Sequence, residues 1–230
     1  GIYATTTSGN VTVSGGATGT VTGGDEGITA DATFGVAGGN VAIMEYENVL
    51  GVDTGIWALA DSGTVTVSGI GKVTGTGGDG ILATTTTGNI SIQSVGTSGG
   101  VSGNGRDGIH ANAGTGNIAV GTTGAIGAVT GADEGIELRT TGAGTIALTT
   151  AANVTGLGEW GVYSNAQNGV TTINLTNGSD ITGNTRGLEA FASGTGAITA
   201  NIGAGSVVIG REYGMLTGTG SGVATVNNAG

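Results

Sequence analysis

The chain has 230 residues, with 53 Gly, no Pro and no Cys, and carries a formal charge of −11 from 16 acidic against five basic side chains. Without Cys there is no disulfide framework, and Gly without a Gly-X-Y period excludes collagen. So few Lys and Arg exclude a nucleic-acid partner, and also docking on anionic lipid.

Apolar residues make up 37% of the chain and recur regularly, which excludes simple disorder. Only two Trp, four Tyr and two Phe are present, so a thick core cannot be filled. A narrow core can be, if each turn of chain stacks small residues on the turn below. No stretch resembles a membrane-spanning helix or a signal peptide, and this segment is not expected to insert into a membrane. The chain begins at a strand motif and ends in mid-turn, so residues 1–230 read as one solenoid segment excised from a longer repeat protein.

From its first residue the chain repeats one phrase, Gly-Ile-x-Ala: Gly1-Ile2-Tyr3-Ala4, Gly27-Ile28-Thr29-Ala30, Gly55-Ile56-Trp57-Ala58, Gly80-Ile81-Leu82-Ala83 and Gly108-Ile109-His110-Ala111. Looser copies open at Gly135, Gly161, Gly187 and Gly214, and the nine glycines are 25 to 28 residues apart. A period in this range points to a solenoid. Each period holds two further apolar segments. One alternates, as in Val11/Val13, Val41/Ile43, Val65/Val67, Ile90/Ile92, Ile118/Val120, Ile146/Leu148, Ile173/Leu175 and Ile198/Ala200, with Val223 opening a ninth copy. The other is Val-Thr-Gly or close to it, from Val21-Thr22-Gly23 to Val208-Ile209-Gly210.

β-branched residues alternating at period two read as strands, and the Gly, Asn, Asp and Ser between them as turns. Three short strands in each ~27-residue coil predict an all-β, right-handed parallel β-helix of about eight to nine coils. Gly at the corners is expected to supply positive φ.

In Gly-Ile-x-Ala, Ile and Ala are expected inside and x outside. The x column is Tyr3, Thr29, Trp57, Leu82, His110, Glu137, Tyr163, Glu189 and Leu216, with no common chemistry, as a solvent face would have. Asn10, Asn40, Asn89 and Asn117 precede the second strand, with Thr64, Thr145 and Thr172 in their place elsewhere. Asn there either serves the local turn or forms stacked amide ladders. One coil, at about residues 27–51, is irregular, with an enlarged stretch from Asp31 to Asn40 that includes Phe34. Insertions in solenoids often carry function, or are simply tolerated surface loops.

Nine acids fall just before a repeat glycine: Asp25, Glu26, Asp53, Asp79, Asp107, Asp133, Glu134, Glu159 and Glu212. They predict an acidic column at one corner, joined by Arg106 and Arg186. Capping of turn N–H groups at an exposed, soluble corner is one reading. Calcium binding at Asp79, Asp107 and Asp133 is a second, and catalysis a third. No catalytic set is assigned, because these acids follow the period as a structural column does. His110 is expected at an exposed column position. Trp57, Trp160, Tyr163 and Tyr213 sit at or just before the first strand, where outward aromatics can stack on sugars or enter a partner.

Gly-Ile-x-Ala followed by Thr5-Thr6-Thr7-Ser8-Gly9-Asn10-Val11-Thr12-Val13, echoed at Thr84 to Ile92, and then Val-Thr-Gly, resembles the passenger region of bacterial autotransporters and related large repeat surface adhesins. The resemblance covers the whole chain in its style of repeat, and nothing in it matches a serine protease module. It implies a β-helix secreted or held at a Gram-negative cell surface. Its implied partners are host-surface or matrix glycans and proteins, or other copies of itself. The expected function is a non-enzymatic stalk or adhesin. The alternatives are the scaffold of a carbohydrate-active β-helix enzyme and a self-assembling extracellular filament.

Overall fold

The computed structural model describes residues 1–16, 18–33, 38–176 and 178–229. Phe34 lies outside them. The described residues contain strands, turns and bends but no helix. Strand follows strand in a parallel β-solenoid, each repeat glycine opening a coil. We number the coils 1 to 9 from Gly1, Gly27, Gly55, Gly80, Gly108, Gly135, Gly161, Gly187 and Gly214.

The opening strands, from Ile2–Thr5 in coil 1 to Tyr213–Thr219 in coil 9, form one nine-stranded parallel sheet in coil order. Its register is the period of the sequence: Ile2, Ile28, Ile56, Ile81, Ile109, Ile136, Val162, Leu188 and Met215 stand one above another. Parallel neighbours lie about 4.8 Å apart, so these side chains touch along the axis. From Ile28 to Leu188 none of the column is exposed to solvent.

The second and third segments of each coil join in the other sheet. They are separate strands in coil 1, at Val11–Ser14 and Thr20–Gly23, and again from coil 5 onward. In coils 2 to 4 they run on as single bent strands, Val41–Gly51, Val65–Gly75 and Ile90–Gly103. The bend needs a left-handed residue, supplied by Glu45 (φ 65°), Gly69 (φ 66°) and Ser94 (φ 51°).

The repeat glycines themselves do not have positive φ, against expectation. Their requirement is close approach. A Cβ on Gly27 would lie 2.6 Å from the carbonyl oxygen of Gly55 and 2.7 Å from Val49 Cγ1, and one on Gly55 would lie 2.6 Å from the oxygen of Gly80. Coil-to-coil hydrogen bonds hold the backbones at that distance, such as Ile28 N–H to Gly55 O at 3.0 Å.

Register also corrects the phase of coil 7. Thr171, not Ile173, stands on Ile146, and Ile173 stands on Leu148. Val170 therefore fills the place expected of Thr172. In coil 9 Ala224 and Val226 continue the columns of Ile198 and Ala200, and Val223 is the exposed residue before them. Thr171 is fully buried with no partner for its Oγ1 among the described residues, so a hydroxyl occupies a core position that apolar alternation cannot reveal.

The x column is not a plain solvent face. Thr29, Glu137 and Glu189 are buried, and Trp57, Leu82, His110, Tyr163 and Leu216 are half-buried. Side chains packed at the coil spacing cover one another laterally, even on the outside of the sheet.

Candidate functional site

One inter-coil hydrogen bond recurs throughout the solenoid. A side-chain oxygen before a strand accepts the backbone N–H of the equivalent residue one coil on. Asn10 Oδ1 accepts from Asn40 (2.9 Å) and Asn40 Oδ1 from Thr64 (2.8 Å). Asn89 Oδ1 accepts from Asn117, and Asn117 Oδ1 from Thr145, each at 2.8 Å. The Asn column is thus a ladder from side chain to main chain rather than from amide to amide. Amide stacking occurs elsewhere, in Asn174, Asn201 and Asn227, whose amides follow one another at 2.7 Å.

The acidic corner repeats the ladder with carboxylates. Asp79 Oδ1 accepts the Asp107 N–H at 3.0 Å, and Asp107 Oδ1 accepts the Glu134 N–H at 3.1 Å. This is the capping role expected of those acids; Asp25, Asp53, Asp133, Glu159 and Glu212 are exposed as expected, but Asp79, Asp107 and Glu134 are 1%, 3% and 9% accessible. Being hydrogen-bonded across the gap between coils draws these three in.

Coils 5 and 6 add the x column to this corner. His110 and Glu137 are in register. The His110 Nδ1 lies 3.0 Å from Asp107 Oδ2 and 3.0 Å from Glu137 Oε2, and its side chain is 17% accessible. His110 is therefore a half-buried bridge between two acids, not the exposed residue expected. Arg139 closes the far side of Glu137 with an ion pair. Glu137 was expected only as a solvent-facing position of the x column and Arg139 was not singled out, although an acid one period after a His, on the same face, was the available signal.

The protons distribute unevenly. Burial presses on Asp107, but hydrogen bonds from His110 and Glu134 outweigh it and hold that carboxyl at about 2. Burial, the hydrogen bond with Asp107 and the charges of Asp107, Glu137 and Asp133 push Glu134 up to about 9. Burial also raises Asp79 and Glu137. Burial lowers the His110 imidazolium, but the bond to Asp107 and the charge of Glu137 raise it by more. At neutral pH the corner holds a proton on Glu134 and charge on Asp107, and the two acids beside His110 favour its protonated form.

Ligand atoms of Asp79, Asp107 and His110 lie within 4.8 Å of one another, as do those of Asp107, Asp133 and Glu134. Each group offers three ligand atoms. Calcium takes six to eight oxygens. Asp79 and Asp107 already accept backbone N–H groups, and Glu134 shares its proton with Asp107. Hydrogen bonding accounts for this arrangement without a cation.

Two other places hold the aromatic candidates. Trp160 and Tyr163 contact each other in coil 7, their ring centroids 4.8 Å apart, and the Arg139 guanidinium lies 4.8 Å from the Tyr163 centroid. Tyr213 joins them indirectly, through Arg186, which is in register with both Trp160 and Tyr213 and pairs with Glu189 and Glu212. Trp57 stands apart in coil 3, in register with Thr29 and Leu82. With Leu82, Glu26, Asp53, Asp79 and Arg106 it lines a surface depression of about 190 Å³.

No protein-family model, curated protein or solved structure matches the chain. The reading of the site therefore stands on its geometry. That geometry supplies one continuous acidic corner, one aromatic and guanidinium cluster, and one shallow depression with an aromatic wall.

Proposed function

We propose that this chain is a non-enzymatic structural segment of an extracellular β-solenoid, serving as a stalk or adhesive face at a cell surface. The observation that carries the reading is the unbroken register of the nine-stranded sheet. Each coil gives its inward residues to the same columns, and the corner acids and asparagines to inter-coil hydrogen bonds. Such a molecule works by length and rigidity. Its backbone N–H and C=O groups are engaged with the coils above and below, which withholds the chain from proteases. The acidic surface fits a face held in solvent rather than against nucleic acid or anionic lipid.

Antibody labelling of intact cells that make the full-length protein tests the assignment. Surface label removed by protease shaving is the expected result, and label found only after permeabilisation would overturn it. The purified segment is expected to resist a broad-specificity protease at concentrations that digest a heat-unfolded control.

One observation favours a second reading. Asp107 and Glu134 are neighbouring carboxyl groups whose proton affinities are driven far apart, as an acid and base pair would need. A carbohydrate-cleaving scaffold would use that pair. Release of reducing ends or unsaturated products from neutral or uronic-acid polysaccharides, abolished in Asp107→Asn, would establish it. We expect no release.

A further inference from the structure

Asp79 belongs to the inter-coil ladder, but the other side chains that line the depression beside Trp57 serve neither the core nor that ladder. Other outward positions of the x column hold Tyr, Thr, Leu, Glu or His, and only coil 3 places an indole there. Trp57 is half-buried, and its Nε1 is shielded from solvent with no hydrogen-bond partner among the described residues. Leu82, one coil on in register, continues the apolar wall. Three carboxyl groups line the same depression: Asp53 exposed, Glu26 half-buried and Asp79 buried. Arg106 is its one cation, and is exposed.

An apolar ring wall flanked by hydrogen-bond acceptors and one guanidinium suits a pyranose. The apolar face of the sugar lies on the indole, and its hydroxyls donate to carboxylates and accept from Arg106. The volume, about 190 Å³, is below the roughly 300–1,000 Å³ of sites for drug-sized ligands, which limits the occupant to about one ring. Charge then selects among sugars. Glu26 and Asp53 against one guanidinium, on a chain of formal charge −11, repel a uronate and attract an ammonium group. An ammonium beside the indole gains a cation–π contact as well.

We propose that the depression lined by Trp57, Leu82, Glu26, Asp53, Asp79 and Arg106 is a subsite for one amino-sugar residue with a free amine. This deepens the adhesive part of the function proposed above, and rests on that reading only for the glycan's being met outside the cell.

The test uses the whole 230-residue chain, with glucosamine trisaccharide, its N-acetylated counterpart and trigalacturonate as probes. Binding is read by calorimetry and by ligand-observed saturation-transfer NMR. A single ring in a shallow site supports a dissociation constant on the order of 1 mM. The expected result is saturable binding of the glucosamine trimer, at least fivefold weaker binding of the acetylated trimer and no binding of trigalacturonate. Trp57→Ala is expected to remove the signal. Asp53→Asn, at an exposed position outside the core, should weaken binding severalfold while leaving the thermal midpoint unchanged. No saturation by 20 mM, equal or tighter binding of the acetylated or uronate probe, or unaltered binding in both variants overturns the proposal. Those outcomes leave the stalk reading intact, because surface labelling and protease resistance are measured without any sugar.

Discussion

At the scale of single residues, a side-chain oxygen that receives the next coil's N–H meets two needs at once. It satisfies a donor that the turn leaves without a ladder partner, and it sets the height of the next coil. Asn does this without charge. Asp79 and Asp107 do it as buried carboxylates, and the consequence is pH dependence. Asp107 is held near 2, below its unfolded value, so it contributes stability above roughly pH 4 that is lost as pH falls towards 2. Glu134, held near 9, binds a proton in the folded state that the unfolded chain releases near pH 4.5. Its contribution is complete below that and lost as pH rises towards 9. His110, also raised, acts in the same direction, with its loss above its ordinary pKa. With Asp79 and Glu137, which are raised and act in the same direction as Glu134, these groups place maximum stability at about pH 4–5. Thermal midpoints measured from pH 3 to pH 9 should peak there. Glu134→Gln should flatten the decline between about pH 5 and 9, and a midpoint still rising to pH 8 in the parent chain would contradict this proton assignment. Thr171 offers a separate test. Its buried hydroxyl lacks a partner among the described residues, so Thr171→Val should raise stability by about 1 kcal/mol in denaturant titrations.

At the scale of the strand and its corner, the repeat glycine is chosen for contact rather than for backbone freedom. A Cβ on Gly80 would lie 2.5 Å from the Gly108 carbonyl oxygen and 2.8 Å from Val101 Cγ1. Neither neighbour can yield, since one is backbone in the sheet and the other a core side chain. Gly80→Ala is therefore expected to cost about 1–3 kcal/mol, as overpacking does. That exceeds the ~0.4–1 kcal/mol that lower unfolded-state entropy returns. Gly24 is the control: nothing lies within 4 Å of its Cβ position, so Gly24→Ala should be neutral or slightly stabilising by the same assay. The period, the inward columns and the Val-Thr-Gly corners were legible in the sequence, because each coil must bury the same small β-branched residues on the last. The phase of coil 7 was not, because Thr171 sits where every preceding coil has Val or Ile. The buried acids were not either. Whether an Asp before a glycine is exposed depends on the residue stacked above it, and that is fixed only once the register is known. The His110–Glu137 bridge escaped for the same reason, its partners being 27 residues apart in sequence.

At the scale of the whole molecule, the acids lie along one corner of a narrow solenoid. Like charges repeated at the coil spacing repel one another, and salt screens that repulsion over a Debye length of about 8–10 Å at 0.10–0.15 M. The formal charge of −11 makes repulsion the dominant long-range effect, so sodium chloride should raise the thermal midpoint progressively up to about 0.5 M. Calcium separates screening from a site. If Asp79, Asp107 and Asp133 formed a calcium cage, micromolar to millimolar calcium would stabilise the fold through mass action on the native state. Such stabilisation would exceed that from magnesium at equal ionic strength. The carboxylates of Asp79 and Asp107 are instead engaged by backbone N–H groups, and Asp107 also by His110. A cation entering there must displace those bonds. The expected outcome is equal midpoints in calcium and in magnesium, both following the sodium chloride curve at matched ionic strength. A calcium-specific rise that disappears in Asp107→Asn would overturn the hydrogen-bonded reading and establish the acidic corner as a metal site.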